Sequence, residues 1–260
     1  MTPTLNTHRY GPDQPARLLA LHGLTGHGRR WAPLFDEHLT DVSVLAPDLL
    51  GHGHSPATAP WSLEAHADAV AAVLDEAQTG PVVVVAHSFG GATALHLAAR
   101  RPDLVKSLVL LDPAIGLDGD WMRQIADQMV AYPDYTDRAE AKSDKVAGAW
   151  SDVPDHVIET ELDEHLIELP NGRWGWRMSL PAVVTAWSEL ARDIALPANI
   201  IRVTLLRATR TSPPYVIPEL LDALRASLGD RFELVDIDCD HMVSQSRPAE
   251  TAAAIRSHLE

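Results

Sequence analysis

One serine in this chain stands where a nucleophile would have to stand. Ser88 is the centre of Ala86-His87-Ser88-Phe89-Gly90-Gly91, between the apolar run Val82-Val83-Val84-Val85 and a helix-forming stretch. A strand-to-helix reversal this tight strains its central residue and lifts that side chain clear of the sheet. Bulky neighbours would strike the strand or the helix, so Ala86, Gly90 and Gly91 suit the turn. Ala86 stands where the pattern G-x-S-x-G has its first glycine, and alanine is small enough to serve. Ser88 would then open a helix, where free N–H groups and the helix dipole favour negative charge. A serine in a glycine-rich turn can also be purely structural.

A serine hydroxyl is a poor nucleophile at its own pKa and needs a nearby base. The chain has 13 histidines, so type alone selects none of them. His241 is the candidate by position. It follows the apolar run Phe232–Ile237 and precedes the last helical stretch, and strand ends at the carboxyl edge of an open sheet are where sites form. His27, His52 and His54 lie in glycine-rich loops that would border a pocket. They bring no Cys or carboxylate cluster for a metal site, so neither a metal nor an organic cofactor is expected. His87, beside Ser88, suits packing or hydrogen bonding. The single cysteine, Cys239, excludes an intramolecular disulfide and is compatible with a reducing compartment.

These residues need elements to hold them. Apolar runs at Leu18–Leu21, Val42–Leu45, Val82–Val85, Leu108–Leu111, Val203–Leu206 and Phe232–Ile237 suggest strands, with a weaker one near Leu5–Tyr10. Runs apolar on both faces suit parallel strands covered on each side. Between them, Leu63, Ala67, Val70, Leu74 and Ala77 recur at helical spacing, with Ser62 placed to cap and Gly80 beyond the end. Further helices are expected at Gly91–Arg100, Pro218–Leu228 and Pro248–Leu259. Such alternation predicts an α/β fold with a doubly wound, mostly parallel sheet.

The rhythm breaks between residues 115 and 196. Helical patterns occupy Trp121–Tyr132 and Pro181–Ile194, and Asn171-Gly172 between extended runs predicts a hairpin. We expect an inserted lid at 115–196, with a core from 1–114 and 197–260. The insert holds five of the seven tryptophans. Most should build its own small core, and one or two facing the pocket would favour an apolar or aromatic substrate group.

Four stretches in register resemble the α/β-hydrolase fold family: Leu19-Ala20-Leu21-His22-Gly23-Leu24-Thr25-Gly26, Ala46-Pro47-Asp48-Leu49-Leu50-Gly51-His52-Gly53-His54-Ser55, the Ser88 turn, and Asp238-Cys239-Asp240-His241. Trp174-Gly175-Trp176-Arg177 is also similar to a hairpin in lids of esterase-like members. The resemblance implies an oxyanion hole from the backbone N–H groups of Leu24 and Phe89, which a tetrahedral intermediate requires. His22 itself reads as a structural residue that holds this loop by hydrogen bonds. The resemblance also implies an acid after the strand at Val203–Leu206, but that turn reads Arg207-Ala208-Thr209-Arg210-Thr211-Ser212 and holds no carboxylate. Asp112, ending the strand that should neighbour the nucleophile strand, offers a replacement, as in one branch of haloalkane dehalogenases. The alternative is that Asp112 only caps a turn before Pro113.

Composition narrows the partners. Hydrophobic residues make up 46% and charged residues 22%, and the net charge is −15. That charge opposes binding to nucleic-acid phosphates or to an anionic membrane surface. The first ten residues lack an apolar leader core, and no apolar run approaches a membrane span. A cytoplasmic monomer or homodimer acting on a small molecule is expected. The leading function is a serine hydrolase acting through an acyl-enzyme on a carboxylic ester or related acyl substrate. Thioester, lactone or C–C bond hydrolysis and cofactor-free perhydrolysis share the constellation, and a small-molecule receptor on the same fold is a reading of another class.

Overall fold

A computed structural model describes residues 3–260; the expectations for Met1 and Thr2 lie outside the described residues. Seven strands form one sheet: β1 (Thr7–Tyr10), β2 (Leu18–Leu21), β3 (Val44–Pro47), β4 (Val82–His87), β5 (Val105–Leu111), β8 (Arg202–Ala208) and β9 (Phe232–Ile237). Their spatial order is β1-β3-β2-β4-β5-β8-β9. β1 pairs antiparallel with β3, while every other neighbour in this sheet is parallel. β4, which leads into Ser88, is thus central, one step from β5 and two from β8.

Side-chain alternation explains why the strand runs are apolar throughout. Leu19 and Leu21 of β2, with Val82, Val84 and Ala86 of β4, pack on one face. Leu18 and Ala20, with Val83 and Val85, pack on the other. The first face is covered by α2 (Leu63–Ala77), α3 (Phe89–Arg100) and α8 (Pro218–Leu228). The second is covered by α1 (Ala32–His38) and α10 (Pro248–Leu259), through Leu34, Phe35, Ala252 and Ile255. Each fully buried Val or Leu contributes roughly 1.5–3 kcal/mol, so one strand secures both layers. A short helix, α9 (Val243–Ser246), follows His241.

Between β5 and β8 the chain forms α4 (Gly119–Ala131), α5 (Arg138–Ala147), α6 (Asp155–His165), the antiparallel pair β6 (Leu166–Glu168) and β7 (Trp174–Trp176), and α7 (Leu180–Glu189). Asp118 and Asp137 cap α4 and α5 by accepting from the N–H groups of Trp121 and Glu140, which satisfies otherwise orphaned donors. The hairpin closes through Pro170-Asn171-Gly172, with Gly172 at φ 76°. It is a three-residue loop ending in a left-handed glycine, one residue longer than Asn-Gly alone implies. This segment has its own core of Ala141, Trp150, Val153, Val157, Ile158, Leu162 and Leu166. It is joined to the loop after β3 by Gly53 N–H to Arg177 O (2.9 Å) and Ser179 N–H to Gly51 O (2.7 Å). No described helix is long and apolar enough to cross a membrane.

Candidate active site

Ser88 sits between β4 and α3 at φ 52°, a left-handed conformation that costs a non-glycine residue energy. The surroundings hold it there. Its N–H donates to Leu111 O (3.1 Å), and its carbonyl accepts from Gly91, Ala92 and Ala114. Close approach explains the small residues. A Cβ on Gly90 would lie 2.5 Å from Leu21 O, and one on Gly91 would lie 2.6 Å from Pro113 Cβ. On the other flank, a Cβ on Gly23 would lie 3.0 Å from Ser88 Cβ. The loop after β2 therefore runs hard against the Ser88 turn.

Asp112 directly follows β5, also at positive φ (42°), and is fully buried. Its N–H continues the ladder to Leu206 O (2.8 Å). Its Oδ2 lies 2.6 Å from His241 Nδ1, and its Oδ1 accepts from the Ala208 N–H at 3.1 Å. A carboxylate oxygen accepts, so Nδ1–H is the donor of this contact, and in the neutral ring Nε2 keeps a lone pair. The turn after β8 brings no acid to this point; the Thr211 hydroxyl donates back to Ala208 O at 3.4 Å.

Two rings fix the plane of His241. Tyr215 stacks on it with centroids 4.1 Å apart, and His87 tilts against it at 4.6 Å. His87 Nε2–H also donates to His241 O at 2.9 Å. Burial holds the His87 ring pKa well below 6.5, so it stays neutral. Burial likewise pushes the Tyr215 phenol up to about 12 and the Cys239 thiol up to about 12, so neither ionises near neutral pH. No motif marks Tyr215 in the sequence, where it is a lone aromatic beyond Pro213-Pro214.

The remaining loop residues divide by role. His22 accepts from the Leu49 N–H through Nε2 (2.9 Å) and donates through Nδ1 to Gly23 O (2.8 Å), which ties the β2 loop to the β3 loop. His52 faces Leu50 O, and His27 pairs with Glu161 at 3.1 Å; neither lines the cavity beside Ser88. The N–H groups of Leu24 and Phe89 meet no acceptor among the described residues.

Ser88, His241, Leu24, His87 and Tyr215 share one cavity of about 860 Å³. Its other wall comes from the segment between β5 and β8, including Trp150, Trp176 and Trp187. Three tryptophans face it rather than the expected one or two. Trp174 joins the segment's own core, while Trp121 packs against the main core. Two further lining residues, Arg30 and Lys145, are charged yet buried. Nothing in the sequence marks them: Arg30 follows a glycine-rich loop, and Lys145 occurs in a polar stretch that resembles a solvent-facing helix. The arrangement combines a strained serine, an imidazole with a free Nε2 beside a buried carboxylate, and two free N–H groups. Such a set can carry out nucleophilic acyl transfer.

A model of the alpha/beta hydrolase family matches residues 18–254. The chain is 58% identical over 255 residues to Lipase LipV of Mycobacterium tuberculosis, covering 98% of this chain and 97% of that one. It is 32% identical over 189 residues to a pimeloyl-[acyl-carrier protein] methyl ester esterase of Neisseria meningitidis, covering 72% and 67% respectively. Among solved structures, E-2-(acetamidomethylene)succinate hydrolase superposes with TM-score 0.84 at 22% identity, covering 98% and 94%. A marine microorganism esterase superposes with TM-score 0.78 at 19% identity, covering 98% and 99%.

Proposed function

The chain belongs to the alpha/beta hydrolase family and is a hydrolase of carboxylic-ester type, and we propose that it acts through an acyl-enzyme on Ser88. The observation that carries this reading is the buried 2.6 Å contact between Asp112 and His241, in the cavity that also holds Ser88. Ser88 Oγ attacks the ester carbonyl carbon while His241 Nε2 takes its proton. Asp112 holds Nδ1–H and stabilises the imidazolium. The former carbonyl oxygen, now negative, is received by the N–H groups of Leu24 and Phe89. Collapse breaks the C–O bond, and the departing alkoxide takes the proton from His241. A water then attacks the acyl-enzyme by the same steps in reverse and releases the acid.

Residues 115–196 act as a lid in this reading, with Trp150, Trp176 and Trp187 giving the substrate an aromatic wall. The missing carboxylate after β8 would favour a receptor reading, and the Asp112–His241 contact from β5 supports the enzyme reading instead. The test is turnover of 4-nitrophenyl butyrate with labelling by a fluorophosphonate. The wild-type chain should hydrolyse the ester and be labelled at Ser88. S88A should lose on the order of 10⁴-fold or more in kcat and all labelling while keeping its fold. Undiminished turnover in S88A, or labelling at another residue, overturns the mechanism.

A further inference from the structure

The cavity beside Ser88 contains a cation that catalysis does not need. Lys145 lies on α5 with its side chain only 6% exposed. Lysine is seldom buried unless its ammonium is paired. Its Nζ lies 3.3 Å from Glu161 Oε1, 3.9 Å from the Trp176 ring centroid and 4.4 Å from that of Trp150. The two indoles form cation–π walls around the ammonium, which lines the same cavity as Ser88 and His241.

Glu161 does not account for Lys145. Both Glu161 oxygens already accept from Arg30, through Nε at 3.2 Å and Nη2 at 2.5 Å, and Oε2 also faces His27 Nε2 at 3.1 Å. Arg30, on the core side, is thus enough to tie α6 to the core. Lys145 and Glu161 belong to the same inserted segment, so their contact adds no further tie. Two buried cations share one buried carboxylate, which leaves one positive charge over. Of the other acids lining the cavity, Asp134 pairs with Arg173, while Asp144 and Glu140 accept only from the uncharged Tyr135 and Thr136 hydroxyls and keep their charge. Asp144 and Glu140 are exposed, where solvent screens them. Burying an unmatched charge is costly, and a cavity meant for wholly apolar substrates would gain by lacking it. Burial lowers the Lys145 pKa to about 8, which still leaves it mostly charged at neutral pH. Met242, the residue after His241, packs in the same cluster as Trp150, so this corner adjoins the candidate base.

We propose that the Lys145 ammonium, walled by Trp150 and Trp176, recognises a carboxylate at the far end of the acyl chain, making half-esters of dicarboxylic acids the substrate class. The proposal rests on the ester-hydrolase reading of the same cavity. The free acid pairs with Lys145 and neutralises the surplus charge while the ester carbonyl lies at Ser88. Two fixed points of attachment select one chain length.

The experiment compares monomethyl and dimethyl esters of dicarboxylic acids from succinate to suberate. The wild-type chain should show kcat/KM about tenfold or more higher for the half-ester at one chain length, the scale of a charge-assisted hydrogen bond. K145M should bring that ratio to about one or below, and K145R should keep part of it. K142M, which removes a half-buried lysine of the same helix that pairs with Asp155 and Glu159 and does not line the cavity, should leave the ratio as in the wild type. A separate arm titrates the free dicarboxylate of the preferred length, or the whole series if no ester turns over, into S88A by calorimetry. Binding lost in S88A/K145M supports the Lys145 site even if no ester is cleaved, which would sink the hydrolase reading alone. A wild-type preference for diesters at every length overturns the proposal. An equal loss on both esters in K145M does so too, as does dicarboxylate binding that K145M leaves intact. If K145M fails to fold, the wild-type chain-length profile and K145R decide.

Discussion

Asp112 serves two partners at once, and each limits how the other can be replaced. Oδ1 accepts from the Ala208 N–H and Oδ2 accepts from His241 Nδ1–H. In D112N the amide oxygen must stay with the Ala208 N–H, because the amide NH₂ cannot accept from it. The NH₂ is then turned to His241, which drives the ring proton to Nε2 and leaves no lone pair for Ser88. We therefore expect D112N to lower kcat on the order of 10⁴-fold, with KM nearly unchanged and a melting temperature close to the wild type. Stopped-flow hydrolysis of a chromogenic ester and a thermal melt check both parts. A loss below tenfold would mean that Asp112 only supports the turn. This residue was legible because β5 must lie beside β4 in a doubly wound sheet, so its tip falls next to Ser88. The turn after β8 carries Thr211 instead of an acid, which leaves the tip of β5 as the place for a carboxylate beside Ser88. Tyr215, Arg30 and Lys145 were not legible. Their roles come from which neighbours the folded chain places against them, and no local spacing encodes that.

Among the elements, legibility followed the strength of each periodic pattern. α8 and α10 begin and end at the residues their apolar spacing marks, because each sets a full face against the sheet. α5 and α6 left little trace. The buried residues of α5 are Ala141 and Lys145 alone, and α6 buries Glu161 and His165 beside its aliphatic residues. A helix whose inner face is partly charged has no clear apolar stripe to read. The same chemistry makes the join between segment and core sensitive at Glu161. E161A leaves Arg30 and Lys145 buried without their shared carboxylate. Removing one member of a buried ion pair costs about 3–5 kcal/mol, and urea unfolding should show a loss of that size. E161Q keeps the shape and one acceptor and should lose less. Equal stability of E161A and the wild type would mean that water replaces the carboxylate freely and that the cluster is not dry.

Across the whole molecule, the strand–helix alternation was legible while edges drifted: β3 runs Val44–Pro47 rather than Val42–Leu45, and β1 is the antiparallel strand at the sheet margin. β3 is an interior strand buried throughout, and its start is displaced because Val42 still belongs to the turn that closes on Leu39 O, whereas β1 at the sheet margin is only partly buried and so has a weaker pattern. The chain's histidines also set how the folded protein responds to acid. Burial holds His22, His87 and His165 well below 6.5, His52 and His258 at about 4, and His66 at about 3. Below pH 6.5 the unfolded chain binds protons that these folded-state rings refuse. Stability is therefore highest above pH 6.5 and falls as pH drops, by about 1.4 kcal/mol per pH unit for each such ring. The fall for any one ring ends once pH passes its folded-state pKa. His66 isolates one share of this loss. It is buried on α2 with its ring edge-on to Phe89 at 4.9 Å, and neither ring nitrogen has a partner among the described residues. In H66L the lost aromatic contact is a constant that pH does not alter, whereas the lost titration is not. The stability of H66L minus that of the wild type should rise by about 1.4 kcal/mol per pH unit on going from pH 6 to pH 4. Urea unfolding at four or five pH values in that interval measures it. Parallel curves would mean that the His66 ring takes up its proton in the folded chain as readily as in the unfolded one, and that burial does not exclude it.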